Sequence, residues 1–294
     1  MHVKNLFSLV VMVSLLMSCG DAVHTQSGNT SSSLDSLPVK ENALGENPSG
    51  QEGAGPIEGF YVGDFNALVS DQKKSPMQQN RINISVDSIR GDQLFGHSVV
   101  AGNIRPFSGT YLLEEGNYVA TCREPGNDRY DGVFVFTIYP QNGTLTGTWT
   151  ANDHTLAVSK RNYALTKRIF TYDPSQGIAD IAARLYNSNP DAEEGELITE
   201  DAGKINASLT VLKRSDVENM YKRDLEVMRN AIYARHGYSF KNREMRFFFD
   251  TEVDWYIPVS TNVSEQLTEL EKQNIALIKR YEKHASSYYD SFGR

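Results

Sequence analysis

From about Pro56 to Arg168 the chain is a succession of short segments in which apolar and polar residues alternate. That alternation restricts the fold more than any other feature, because a period of two places one set of side chains on one face of a half-buried strand. Gly59 to Phe65 opens the series. In Arg81 to Ile89, Ile82, Ile84 and Val86 share one face, and Asn83, Ser85 and Asp87 share the other. Gln93 to Val100, Ile104 to Leu113 and Tyr118 to Arg123 follow. Gly132 to Tyr139 aligns Phe134, Phe136 and Ile138, and Thr144 to Thr150 aligns Leu145, Gly147 and Trp149, so Phe136 and Trp149 are expected inside. Asn162 to Lys167 completes the set. Gly91-Asp92, Gly116-Asn117 and Asn142-Gly143 punctuate the series with hairpin-turn chemistry. Eight short strands joined by tight turns predict an antiparallel meander. Closure into a barrel removes its exposed edges, and a sandwich is the alternative arrangement.

Gly59-Phe60-Tyr61-Val62-Gly63 at the head of eight strands is similar to the start of lipocalin-type barrels, although the usual Gly-x-Trp is absent. The resemblance is one of architecture, and it implies room for a small apolar ligand. An eight-stranded interior is also narrow enough to be filled by its own side chains.

After Tyr172-Asp173-Pro174 the period changes. Ile178, Ile181, Ala182 and Leu185 have helical spacing, ended by Asn187-Ser188-Asn189-Pro190, and Glu196 to Thr199 and Ala207 to Lys213 read as short strands. Residues 169–214 are thus a linking segment. Ser215-x-x-Glu218 has the form of a capping box for a helix that carries Leu225, Met228, Ile232 and Arg235 on one stripe and stops at Gly237. Thr268-x-x-Glu271 is a second capping box, ahead of Leu270, Ile275, Leu277, Ile278 and Tyr281. The aromatic residues between the two helices supply a core in which Ile232, Phe248 and Trp255 are expected to meet.

Met228-Arg229-Asn230-Ala231-Ile232-Tyr233-Ala234-Arg235-His236-Gly237-Tyr238-Ser239-Phe240, together with Trp255-Tyr256 and Leu267 to Tyr281, resembles the YARHG domain. The resemblance covers about 215–284 and implies an envelope location and a local fold, but no particular activity. The expected fold class is α+β: an antiparallel β meander or barrel-like domain over 56–168, then a small, mainly helical YARHG module and a tail from 285. Arg229, Asn230, Tyr233, Arg235 and His236 are the candidate binding cluster, suited to a carboxylate, a glycan or a peptide. As a structural network, Arg229 would instead pair with Asp250 or Glu244, Asn230 would bond loop backbone, and His236 would cap carbonyls.

The N-terminus speaks to location. A short basic start precedes an apolar run from Leu6 to Met17, which as a helix spans about 18 Å, too short for a hydrocarbon core of about 30 Å. Leu16-Met17-Ser18-Cys19 resembles a bacterial lipobox. The resemblance implies a signal peptide over 1–18, cleavage before Cys19 and acylation of the Cys19 thiol by chains such as palmitate. Gly20, rather than Asp, after that cysteine points to the outer membrane. Residues 19–55 lack aromatic residues and periodicity and read as a disordered tether, with a reach on the order of 30–35 Å.

The chain has 29 Lys and Arg against 37 Asp and Glu, a formal charge of −8, with no basic run, which argues against nucleic acid as a partner. Two cysteines cannot form a disulfide scaffold, and with Cys19 acylated Cys122 reads as a packed core residue. No P-loop, Gly-x-Ser-x-Gly or His-Glu-x-x-His occurs, no histidine pair has metal-ligand spacing, and no cofactor motif is present. The expectation is a non-catalytic envelope lipoprotein, held to the membrane by its N-terminal lipid and binding an envelope protein or cell-wall material. A carrier of a small apolar ligand is the first alternative. A cell-wall hydrolase with an unrecognised site is the second, with Asp250 and Asp254 beside Trp255 as its carboxylates.

Overall fold

The computed structural model describes residues 56–178, 184–186 and 196–288. The leader, Cys19, the tether and the end of the tail lie outside the described residues. Eight antiparallel strands form a closed barrel in sequential order: β1 (Gly59–Ser70), β2 (Gln79–Arg90), β3 (Gln93–Val100), β4 (Asn103–Glu114), β5 (Asn117–Arg123), β6 (Gly132–Tyr139), β7 (Thr144–Ala151) and β8 (Val158–Arg168). β1 pairs with both β2 and β8, so no edge remains.

The interior follows from the alternation. One end is packed solid by Tyr61, Leu94, Ile138, Leu145 and Leu165, and Ile57 closes it while accepting a hydrogen bond from the Tyr61 hydroxyl at 2.9 Å. Phe136 and Trp149 are inside as expected. Gly147 is required by close approach: a Cβ there would run into the Val135 carbonyl and the Phe136 side chain. Cys122 is a buried free thiol that burial pushes up to about 12, which keeps it protonated and unreactive.

Past the barrel, β9 (Arg184–Tyr186) and β10 (Glu196–Ile198) pair antiparallel. Among the described residues five α-helices follow: α1 (Asp201–Lys204), α2 (Arg214–Val217), α3 (Lys222–Arg235), α4 (Arg243–Glu252) and α5 (Glu269–Tyr288). The α+β reading therefore holds, with the helices gathered at the C-terminal end of the chain. No helix among the described residues is long and apolar enough to cross a membrane.

Several local expectations are corrected. Leu185 sits in a strand, because its helical spacing is overridden by pairing with Leu197; residues 179–183 and 187–190 of that expected helix lie outside the described residues. Ala207 to Lys213 is not a strand: Asn274 takes the backbone of this stretch, donating to the Ala207 and Thr210 carbonyls and accepting from the Leu212 N–H. The helix expected from Ser215 breaks at Glu218. Asp216 rather than Glu218 takes the cap role, accepting from the Lys213 N–H at 2.7 Å, and the resulting single turn buries Val217 before α3 starts at Lys222. Ile232 does not meet Phe248 and Trp255. α3 lies between two neighbours, so Leu225, Met228 and Ile232 face Ile275 and Ile278 of α5, while Val227 and Ala231 face Phe248 and Phe249 of α4. Residues one apart on a helix project about 100° apart, and a helix buried on two sides sends adjacent residues to different cores.

The helical module is seated on the barrel. Part of the polar face of β2 is covered: Asn83 is buried and donates to the Pro258 carbonyl at 2.9 Å, and the Arg81 side chain donates to the Val253 and Tyr256 carbonyls, while Asp87 stays exposed. Asp250 accepts from the Arg81 N–H at 2.8 Å. Burial pushes its carboxyl up to about 7, against that hydrogen bond and nearby arginines.

Candidate functional site

The motif residues divide between two places. α3 ends in a Schellman arrangement: Gly237 has φ +74°, its N–H donates to the Ala234 carbonyl, and the Tyr238 N–H donates to that of Tyr233. A side chain at Gly237 would strike Val259 and Phe170, so the glycine serves both the turn and the packing. This geometry turns Arg235 and His236 toward the chain that leaves the barrel. The His236 ring stacks on Tyr172 at 4.2 Å, and its Nε2 lies 2.8 Å from Glu271 Oε2. Glu271 also accepts from the Tyr172 hydroxyl and from the Thr268 N–H and hydroxyl, completing the expected cap of α5. Burial pushes the Glu271 carboxyl up, but hydrogen bonds from His236, Thr268 and Ser208 and the charge of His236 outweigh it and bring it down to about 2. Arg235 donates from Nε to the Gln176 carbonyl at 2.7 Å and from Nη1 to the Ser208 hydroxyl, with Trp255 against its guanidinium. Arg235 and His236 are therefore both buried, and together they clasp the segment Tyr172–Gly177.

Arg229, Asn230 and Tyr233 lie elsewhere, along a groove of about 340 Å³ completed by Tyr238 and Asn262–Ser264. Arg229 pairs neither with Asp250 nor with Glu244. Its partner is Glu282 of α5 at 2.6 Å, because α5 packs along α3. Asn230 accepts from Arg229 Nη1 at 3.2 Å rather than bonding loop backbone, and His236 bonds a carboxylate rather than capping carbonyls. The carboxylate pair Asp250 and Asp254 is not assembled: Asp250 is enclosed against β2 and Asp254 is exposed. Among the described residues no group of His, Cys, Asp and Glu is arranged to hold a metal ion.

A third place, the barrel end opposite Ile57, holds none of the motif residues. Here the loops 71–78, 101–102, 124–131 and 152–157 surround a cavity of about 420 Å³. Inward-facing positions that are apolar deeper in the barrel become polar at this level. Asn80 stands opposite Phe65, Ser98 opposite Ile84 and Arg105, and Arg161 opposite Trp149; directly paired residues share a face, so all point inward. Glu124 accepts from Trp149 Nε1 at 3.0 Å and from the Gly132 N–H at 2.7 Å. Burial pushes its carboxyl up to about 7, opposed by those two hydrogen bonds and by Arg105. Arg105 is held by Asp131 at 3.4 Å. Arg161 is buried, lies over the Phe65 ring, and donates to the carbonyls of Phe65, Met77 and Gln78. Arg246 enters from α4, with Nε and Nη2 against the Met77 sulfur at 3.2 and 3.1 Å. The sequence carried a signal for this level, namely Asn80 and Arg161 at the ends of otherwise apolar inward series, but that signal has the same form as a strand end meeting solvent.

No curated protein and no solved structure matches the chain. Residues 202–283 match the YARHG domain. This span takes in Ala202, Ala207 and Leu212, upstream of Ser215, which pack in the cores on the two sides of α3. The chain thus carries, after an eight-stranded barrel, a C-terminal segment similar to the YARHG domain.

Proposed function

We propose that the protein is a lipid-anchored envelope protein that binds a small molecule in the mouth of its barrel. The single observation that supports this reading is the asymmetry of the barrel, packed solid at one end and enclosing about 420 Å³ at the other. That volume falls in the range of small-molecule sites, and the lining combines aromatic surface with a few convergent polar groups. Anchorage through Cys19, at the outer membrane, rests on the lipobox-like sequence; the tether would hold the barrel clear of the lipid surface. The groove at Arg229, Asn230 and Tyr233 is the surface this reading assigns to an envelope protein or cell-wall partner.

Native mass spectrometry of the full-length protein, extracted from membranes in mild detergent, tests the reading. The wild type should carry a small-molecule mass beyond its acyl chains. Ser98→Phe, which drives a ring into the cavity, should lack it. Equal masses of added ligand in both proteins, or none in either, would overturn the assignment. Cys19→Ser should move the protein from the detergent to the aqueous phase in a partition assay; retention in the detergent phase would defeat the anchor.

A further inference from the structure

The chemistry of the mouth narrows what it binds. Two guanidinium groups, Arg161 from β8 and Arg246 from α4, converge on Met77, close enough that the Arg246 charge disfavours that of Arg161. Among the described residues neither lies within ion-pair distance of a carboxylate. Arg161 is held by three backbone carbonyls through Nη1 and Nη2, which leaves its Nε–H and one Nη2–H to spare. Arg246 rests on a thioether, a weak acceptor, and on the Lys241 carbonyl. Asp250 favours the Arg246 charge from beyond ion-pair distance while accepting from the Arg81 N–H, and Arg105 is already matched by Asp131. Arg161 is a buried cation with no carboxylate within ion-pair distance, which is costly; Arg246 beside it is half-buried and adds a second positive charge at the mouth. On the opposite wall Glu124 already accepts two hydrogen bonds shorter than 3.1 Å, so it offers less to an incoming cation. Asn80 is 5% exposed, faces the cavity, and its Oδ1 is a buried acceptor with no partner. An unpaired buried acceptor of this kind calls for a donor. Between these groups lie the rings of Phe65, Phe134 and Trp149.

We infer that the mouth binds an organic carboxylate with an apolar or aromatic body: the carboxylate on Arg161 and Arg246, the body against Phe65, Phe134 and Trp149, and a ligand hydroxyl or amide N–H on Asn80. This rests on the reading of the mouth as a small-molecule site, and it goes further in one respect. Arg246 belongs to the helical module, so the site is complete only when that module sits on the barrel.

Calorimetry on the full-length protein with three probes of one shape tests it: 4-phenylbutyrate, its neutral amide and the corresponding amine. The carboxylate should bind at least about tenfold more tightly than the amide, the worth of roughly one charge-assisted hydrogen bond. Arg246→Gln should cut that tenfold preference to about twofold or less; a preference that stays tenfold would overturn the assignment of Arg246. A 3-hydroxyl on the carboxylate should tighten binding in the wild type but not in Asn80→Leu. If carboxylate and amide bind equally and Ser98→Phe abolishes both, the charge assignment fails while the mouth remains a binding site. If the amine binds best, Glu124 rather than the arginines reads the ligand and the inference is overturned. If no probe binds to the wild type, both the inference and the site fall.

Discussion

The motif cluster of the helical module and the mouth of the barrel are both built from buried polar residues, yet they treat them in opposite ways. In the module the charged motif side chains have partners within the fold: His236 on Glu271 and Tyr172, Arg235 on Gln176 and Ser208, Arg229 on Glu282, which leaves Asn230 and Tyr233 to face the groove. In the mouth Arg161 and Arg246 lack a carboxylate partner among the described residues and Asn80 Oδ1 lacks any. A sequence motif can therefore mark a folding constraint, while a site with unused binding capacity carries no motif at all. The physical distinction is satisfaction: paired buried groups stabilise the fold, and unpaired ones hold interaction energy in reserve for a ligand.

This comparison can be broken most sharply in the module. Ile232→Asp places a charge where α3 meets α5, and an unpaired buried charge costs several kcal/mol, on the order of a small domain's whole stability. Chemical denaturation should show the module's transition lost. Persistence of that transition at wild-type denaturant would place Ile232 outside the core. Next in size, Glu271→Ala should destabilise by about 3–5 kcal/mol, since it leaves His236 buried and removes the α5 cap together. It should leave small-molecule binding at the mouth intact; a matching loss of binding would erase the contrast between the regions.

The two regions should also respond to pH with opposite sign. Glu271, held down to about 2 against an ordinary value of 4.5, contributes stability that is complete above pH 4.5 and is lost as pH falls toward 2, by on the order of 3 kcal/mol. Glu124 is raised from 4.5 to about 7, so the folded state binds its proton more tightly than the unfolded chain does. Its contribution is fully present below pH 4.5 and is lost as pH rises through 7. Asp250 at the seam, raised to about 7, acts in the same direction. Denaturation series should therefore show Glu124→Gln flattening the decline between pH 4.5 and 7, and Glu271→Gln flattening the decline below 4.5. The same flattening from both variants would refute the division.

Smaller effects complete the contrast. Asn80→Leu in the ligand-free protein should be neutral or stabilising by up to about 1–2 kcal/mol in thermal melts, because it deletes a buried acceptor that has no partner. A loss of that size would reveal a structural role for the amide. Arg214→Ala, removing an exposed i,i+4 pair with Glu218, should change stability by less than about 0.5 kcal/mol.

The barrel strands, the closing turns, the Gly237 helix end and the Thr268–Glu271 cap were legible in the chain because each is a local rule: a period of two, a positive-φ position, or a side chain returning to backbone three residues away. Where local rules compete with packing they fail. Ser215-x-x-Glu218 has the letters of a cap, but Val217 must be buried first, and Leu185 has helical spacing but pairs as a strand. The burial of Asn83 on β2 could not be read from the alternation, since it looks as a solvated residue looks until Pro258, far along the chain, takes its amide.

Sequence by itself determined the inward alternation of the barrel strands, but the strand limits it suggested stop at Arg81 and Asn162, one residue short of Asn80 and Arg161, and it marked no helix at Arg246. Only the tertiary structure decided that Arg161 and Arg246, from β8 and α4, meet at Met77 with no carboxylate between them, and that Arg229 finds Glu282 instead of an acid nearer in sequence. The reason is range. Backbone hydrogen bonding and side-chain period act over a few residues and are written in neighbouring letters, whereas charge pairing and cavity shape depend on which distant surfaces pack together once the apolar faces have been buried.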